Sequence, residues 1–172
     1  MRSGPASGMV PEDRKQQGII LSLSVSQNIS LANLASITRR FGFIRGKKER
    51  KVALDLIGRL SIKTRSEKVP AATLSGGNQQ KVSLAKWIHR KCRVMIIDEP
   101  TRGVDIGAKV EIYHLINELS QQGTAILVIS SETPELMGIC DRILVMRKGS
   151  ITGELDKKDF SEEEILRLSI GA

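Results

Sequence analysis

Leu74-Ser75-Gly76-Gly77-Asn78-Gln79-Gln80-Lys81 is the stretch on which the reading of this 172-residue chain turns. A serine and two glycines precede Val82, Leu84, Ala85 and Ile88, whose spacing predicts a helix opening near Ser75 with one apolar face. A helix N-terminus presents unpaired backbone N–H groups and the positive end of the helix dipole. Glycines let a phosphate approach that backbone closely, and the serine hydroxyl adds one more donor. Taken alone, Ser-Gly-Gly reads better as a turn that caps an ordinary helix.

A second stretch shifts that balance. Val94-Met95-Ile96-Ile97 is a short apolar run closed by Asp98-Glu99-Pro100-Thr101. It reads as a buried parallel strand with two carboxylates at its C-terminal end, the end at which open α/β sheets hold their ligands. Asp98 is suited to bind Mg²⁺, directly or through water. Glu99 is suited to orient or deprotonate an attacking water. Alone, this piece is also compatible with a strand that ends in a solvated acidic turn.

Together the two stretches resemble the ATP-binding-cassette (ABC) ATPases. Leu74–Gln80 matches that family's signature loop, Val94–Glu99 its Walker B strand, and Gly103-Val104-Asp105 its D-loop, in the family's order and spacing. The resemblance extends from about Val10 to about Leu155. LSGGNQQK followed by DEPTRGVDIGAK is similar to the second, C-terminal cassette of tandem ATPases that drive sugar import of the ribose, galactose and xylose type. The fold it implies is α/β: a partial P-loop NTPase cassette with a mostly parallel sheet, a helical signature subdomain and short C-terminal strands. The expected division of 1–172 is a helical subdomain at about 20–90, then the Walker B and C-terminal α/β part at about 91–172.

Composition sets wider bounds. Hydrophobic residues make up 40% and charged residues 27%, ordinary for a globular domain of this length. No apolar run approaches a membrane span, and the N-terminus has no signal-peptide core. Cys92 and Cys140 have no metal-ligand spacing and read as reduced thiols. The net charge of +8 admits an anionic partner, but the basic residues (Arg39, Arg40, Arg45, Lys47, Lys48, Arg50 and Lys51, then Lys86, Arg90, Lys91 and Arg93) are spread out. With aromatics at 3% there is no base-stacking platform, so no nucleic acid is expected.

In chain order, Val10-Pro11-Glu12-Asp13-Arg14-Lys15 is a charged turn leading to Gly18. In the resembling ATPases it stands where other cassettes have a Q-loop, and Glu12 is the nearest equivalent of the glutamine. Ser26 is the expected cap of a helix running toward Leu34. Ala53, Leu56, Ile57 and Leu60 form the apolar stripe of a helix over roughly Lys48–Leu60. Ile112, Leu115, Ile116 and Leu119 mark another helix, and Ala125–Ile129 a second strand. Thr133-Pro134 starts a short helix, Ile143–Met146 and Ile151–Leu155 read as strands, and Ser161 with Glu164 resembles a capping box. The alternation of strand and helix from Arg93 to Arg147 predicts a parallel sheet. His89 and His114 fall in helices without a second ligand, and Trp87 reads as a packing residue.

Two features depart from the resembling family. The sequence contains no G-x-x-x-x-G-K-[ST] phosphate loop, and Lys63-Thr64 lacks the preceding glycines. The expectation is therefore the C-terminal portion of a cassette, inactive alone, with apolar sheet surface left uncovered. Ser131 occupies the position of the family's switch histidine, where a hydroxyl can hydrogen-bond but offers no imidazole chemistry.

The resemblance implies a signature loop that acts in trans, with Ser75, Gly76, Gly77, Asn78 and Gln79 closing on ATP held by a second cassette. Gly103 and Asp105 would sit at the seam between cassettes, with ATP and Mg²⁺ as cofactors. The implied partners are a second ABC cassette, transmembrane permease subunits and, indirectly, a periplasmic sugar-binding protein, at the cytoplasmic face of the inner membrane. A non-transport ABC ATPase and a catalytically inactive interaction module are the alternatives.

Overall fold

A computed structural model describes residues 7–39 and 42–171, so Arg40 of the basic run lies outside the described residues. The chain divides into two units, one ending at Ile129 and one beginning at Ser130.

The first unit is built on a parallel sheet of β1 (Ser7–Val10), β2 (Val94–Asp98) and β3 (Ala125–Ile129), with β2 in the middle. Val10 pairs with Ile97, and Asp98 with Ile129. Parallel neighbours need a crossover, and α5 (Ile106–Gln121) supplies it between β2 and β3, burying Ile112, Leu115, Ile116 and Leu119. The pleat gives the sheet two unlike faces. Val10, Met95 and Ile97 are buried, whereas Met9 and Leu127, which flank Ile96 in one cross-strand row, are 48% and 51% exposed. The uncovered apolar sheet surface expected from the sequence is therefore present.

Between β1 and β2 lies the helical part. Its first helix, α1 (Val25–Ser30), is capped by Ser24, not by the expected Ser26. Gln27 stands three residues after Ser24 and completes a reciprocal capping box, which Ser26 has no partner to form. Nor does α1 continue to Leu34: Leu31–Asn33 tightens into a 3₁₀ turn before a short α2 (Leu34–Ile37). Val25 and Ile29 are fully buried against α3 (Gly46–Arg59) and α4 (Gly76–Arg90), and Ala53 and Leu56 are the buried positions of α3.

The second unit contains α6 (Thr133–Ile139), β4 (Arg142–Arg147), β5 (Ser150–Asp156) and α7 (Glu162–Ile170). Contrary to the alternation argument, β4 does not extend the parallel sheet. It pairs antiparallel with β5, because the two-residue turn Lys148-Gly149, with φ of 48° and 83°, returns the chain directly on itself. Ile143, Val145, Leu155 and Ile165 form the core of this unit. Ser161 accepts from the Glu164 N–H, but the Glu164 carboxylate pairs with Arg167, so only half of a capping box forms. Cys92 and Cys140 are free thiols. No helix among the described residues is long and apolar enough to cross a membrane.

Candidate functional site

Ser75 stands at the N-cap of α4 with extended backbone (φ −64°, ψ 162°), yet no side chain caps this helix. Its first bond runs from the Gln79 N–H to the Ser75 carbonyl at 2.9 Å. The amides of Gly76, Gly77 and Asn78 are therefore the helix's orphan donors. Ser75 is exposed, and its Oγ accepts a hydrogen bond from Asn78 Nδ2 at 2.8 Å. The other end of the Asn78 amide, Oδ1, accepts from the Lys63 N–H at 2.7 Å. Gln79 turns inward: its Nε2 donates to the Ala71 and Leu74 carbonyls at 3.2 Å each.

The two glycines have a packing cause. A Cβ on Gly76 would lie 2.7 Å from the Gly103 oxygen and from Arg14 Nη2. A Cβ on Gly77 would lie 2.5 Å from the Ala108 Cβ. The start of α4 is thus pressed against the segment from Gly103 into α5, an approach open only to a residue without a side chain. The start of α4 and the segment leading into α5 share one seam.

Arg14 fastens that seam, and sequence reasoning missed it. It is buried, and donates from Nη1 to the Arg102 carbonyl at 2.6 Å and from Nη2 to the Gly103 carbonyl at 3.1 Å. Burial lowers its pKa, and neighbouring Asp13 opposes that. Glu12, at the Q-loop-like position, forms an ion pair with Arg102. Nothing in the sequence distinguishes Arg14 from Lys15 beside it, which is exposed. Gly103 adopts φ +64°, and Asp105 caps α5, its Oδ1 accepting from the Ala108 N–H at 2.9 Å.

Two buried lysines of α4 reinforce the arrangement. Lys81 Nζ reaches the Ser61 carbonyl at 3.0 Å and Glu111 on α5 at 2.5 Å. Lys86 Nζ donates to the Gly18 carbonyl at 2.6 Å and lies 5.0 Å from the centre of the Trp87 ring; its burial lowers its pKa.

Asp98 and Glu99 emerge together at the C-terminal end of β2, both half-buried. Glu99 adopts φ +46°, with its N–H donating to the Ile129 carbonyl at 2.8 Å. The other non-glycine residues with positive φ among those described, Ser61, Lys91 and Lys148, sit at helix ends or in the hairpin turn, where this conformation is routine. At a strand end it carries a backbone cost of about 1–3 kcal/mol, a cost characteristic of functional sites.

Ser131 is exposed near the start of the second unit. His89 Nε2 lies 2.9 Å from Ser36 Oγ, and burial lowers its pKa, in keeping with a packing role. Among the described residues no cluster of three or more His, Cys, Asp or Glu side chains is placed to hold a metal ion.

The donor set can be tested against a bound nucleotide. One exposed hydroxyl and three orphan amides at a glycine-bearing helix start suit an acceptor-only phosphate. A single carboxylate at Asp98 suits Mg²⁺ that keeps water and phosphate oxygens as its other ligands.

The family model for ABC transporter matches residues 5–102, more than half of the sequence. The chain belongs to the ABC transporter family. It is 56% identical over 163 residues to a Rhizobium meliloti protein named for import of ribose, galactose and methyl galactoside, covering 95% of this chain and 32% of that one. To the ribose import ATP-binding protein RbsA of Bacillus subtilis it is 49% identical over 164 residues, covering 95% and 33%. The chain spans about a third of the length of the curated relatives it matches. Among solved structures it is similar in fold to an inward-facing metal-chelate type ABC transporter, with a TM-score of 0.80 at 20% identity over 98% of this chain and 64% of the other. It is also similar to a dimeric bacterial ABC transporter cassette, with a TM-score of 0.72 at 25% identity over 89% and 63%. The α/β cassette fold with a parallel sheet and packed helices is thus the fold of this chain.

Proposed function

We propose that the chain is the signature-bearing part of the ATP-binding subunit of an ABC importer for monosaccharides of the ribose and galactose type. The observation that carries this reading is the exposed Ser75 at the uncapped start of α4, seamed by Gly76, Gly77 and Arg14 to the segment leading into α5. The names of its relatives supply the substrate class.

In this reading the ATP is gripped by the phosphate loop of a second cassette. Ser75, Gly76 and Gly77 would close on its phosphates in trans. Preorganised donors of this kind stabilise the charge that develops as the phosphoryl group departs. Bound MgATP supplies the cleavable phosphoanhydride and the cation that neutralises it. At the ATP site of this chain's own cassette, Asp98 would hold Mg²⁺, Glu99 would orient the attacking water, and Ser131 stands at the switch position. Glu12 and Asp105 serve the geometry of the seam, through Arg102 and as the cap of α5. Alone, the chain would not turn over ATP. Permease subunits and, through them, a periplasmic sugar-binding protein complete the assembly, at the cytoplasmic face of the inner membrane.

A chimaera tests this. The chain replaces the 164 matched residues of the Bacillus subtilis ribose import protein, and ribose uptake is measured in cells lacking the native copy. Ser75→Arg is expected to abolish uptake while leaving ATP binding intact. Undiminished uptake would overturn the proposal.

A further inference from the structure

The signature serine is useful to a phosphate only as a donor. A nucleotide phosphate near neutral pH offers acceptor oxygens, while a serine hydroxyl has one proton and two lone pairs and rotates to suit its neighbours. Unconstrained at a helix start, such a hydroxyl ordinarily caps its own helix by accepting an amide N–H. Ser75 does neither of the ordinary things: it caps nothing, and its Oγ is held by a side chain.

We infer that Asn78 is a positioning residue that fixes Ser75 as an outward donor. Hydrogen-bond polarity carries the step. The Lys63 N–H is a donor and nothing else, so the Asn78 atom that faces it, 2.7 Å away, must be the carbonyl oxygen. That orients the whole planar amide and directs its NH₂ group at Ser75 Oγ, 2.8 Å away. The NH₂ group has no lone pair to offer, so Ser75 Oγ must accept from it. One lone pair is thereby engaged, and the hydroxyl proton is left pointing elsewhere. With the backbone amides of Gly76 and Gly77 also unpaired within the helix, that proton joins a set of donors with no competing acceptor from Asn78. Asn78 thus acts through Ser75, and the polarity originates at a backbone N–H that no side-chain substitution at position 63 removes.

The inference rests on the trans-acting role proposed above, and the experiment separates the two. Catalytic efficiency for ATP is measured in the reconstituted chimaeric importer for Ser75→Arg, Ser75→Ala, Asn78→Ala, Asn78→Asp and the double variant S75A/N78A. Ser75→Ala and Asn78→Ala are each expected to lose about five- to tenfold. The double variant is expected to match Ser75→Ala alone, because Asn78 has nothing left to orient. Asn78→Asp is expected to fall below Asn78→Ala. Its carboxylate still accepts from the Lys63 N–H but also accepts the Ser75 proton, turning that donor inward. A residue needed only to anchor the loop would give the opposite order, since Asp keeps the Lys63 bond and Ala loses it. Multiplying losses in the double variant, or Asn78→Asp above Asn78→Ala, would overturn the inference and leave the proposed function standing. Full activity of Ser75→Arg would overturn both.

Discussion

The two ends of the candidate site are built in opposite ways. At the signature end, every residue of α4 from Gln79 to Lys86 is buried, polar ones included. Long side chains tie it outward, Lys81 to α5 and Lys86 to Gly18, while Arg14 clamps the Arg102 and Gly103 carbonyls, the second of which Gly76 approaches. At the strand end, Asp98 and Glu99 leave a thin sheet with one apolar face exposed at Met9, Leu127 and Ile129. The difference teaches where rigidity resides. The start of α4 is over-determined by charge-assisted bonds to backbone and by glycine contacts, while the carboxylate end depends on a few strand bonds and one strained residue.

The largest expected effect lies at the clamp. Arg14→Met removes both charged donors from the Arg102 and Gly103 carbonyls, and should cost the first unit about 2–4 kcal/mol in denaturant unfolding. Amide exchange at Gly103 and Val104 should quicken more than in β2. Uniform quickening across the unit would mean that the clamp serves general stability and not the seam.

Next comes the glycine contact. Gly77→Ala would set a Cβ 2.5 Å from that of Ala108 and 3.1 Å from Val104 Cγ1, prying α4 from α5 at an expected cost of about 1–3 kcal/mol. Gly58 in α3 has nothing within 4 Å of its missing Cβ, so Gly58→Ala should stabilise by about 0.5–1 kcal/mol. Similar outcomes for the two in thermal melts would erase the contrast between seam and surface.

What the sequence disclosed follows the same line. Strand β2 and its carboxylates were legible because an apolar run ended by charges has few other readings. The start of α4 was legible because Ser-Gly-Gly precedes an apolar period. The buried polar residues were not: Lys81 and Lys86 look like a solvated face, and only tertiary contacts show what they reach. Nor was Arg14, whose partners are carbonyls 88 and 89 positions away. Asp105 was expected at the boundary between two cassettes, and its cap on α5 was overlooked although Asp before a helix is a standard cap signal. The antiparallel β4–β5 pairing was missed because strand–helix alternation was weighed above the two-residue turn at Lys148-Gly149.

A smaller effect concerns acid. The hydrogen bond from Lys81 holds the Glu111 carboxyl below its ordinary pKa. A carboxyl depressed by folding contributes its full stabilisation above the unfolded value of about 4.3 and loses it as pH falls through the lower folded value. Glu111 is 45% exposed, so solvent screening limits the effect to about 0.5–1 kcal/mol. Glu111→Gln should therefore lower stability slightly at pH 7 and flatten the decline on acidification, measured as unfolding midpoints between neutrality and pH 3. An unchanged acid slope would show that Lys81 holds α4 through the Ser61 carbonyl alone.

The smallest effect on stability belongs to the open face, and it sharpens the contrast most directly. Leu127 is 51% exposed in the middle of β3 and pairs in register with Ile96. Threonine brings a β-branched shape that suits a strand and exchanges apolar area for a hydroxyl that water can satisfy. Leu127→Thr should leave unfolding free energy within about 0.5 kcal/mol of the parent. It should also raise the concentration at which the chain stays monomeric in sedimentation, because exposed apolar strand surface favours self-association. A cost of several kcal/mol instead would mean that this face is covered in the folded chain, and that the thin end of the site is as firmly held as the seam.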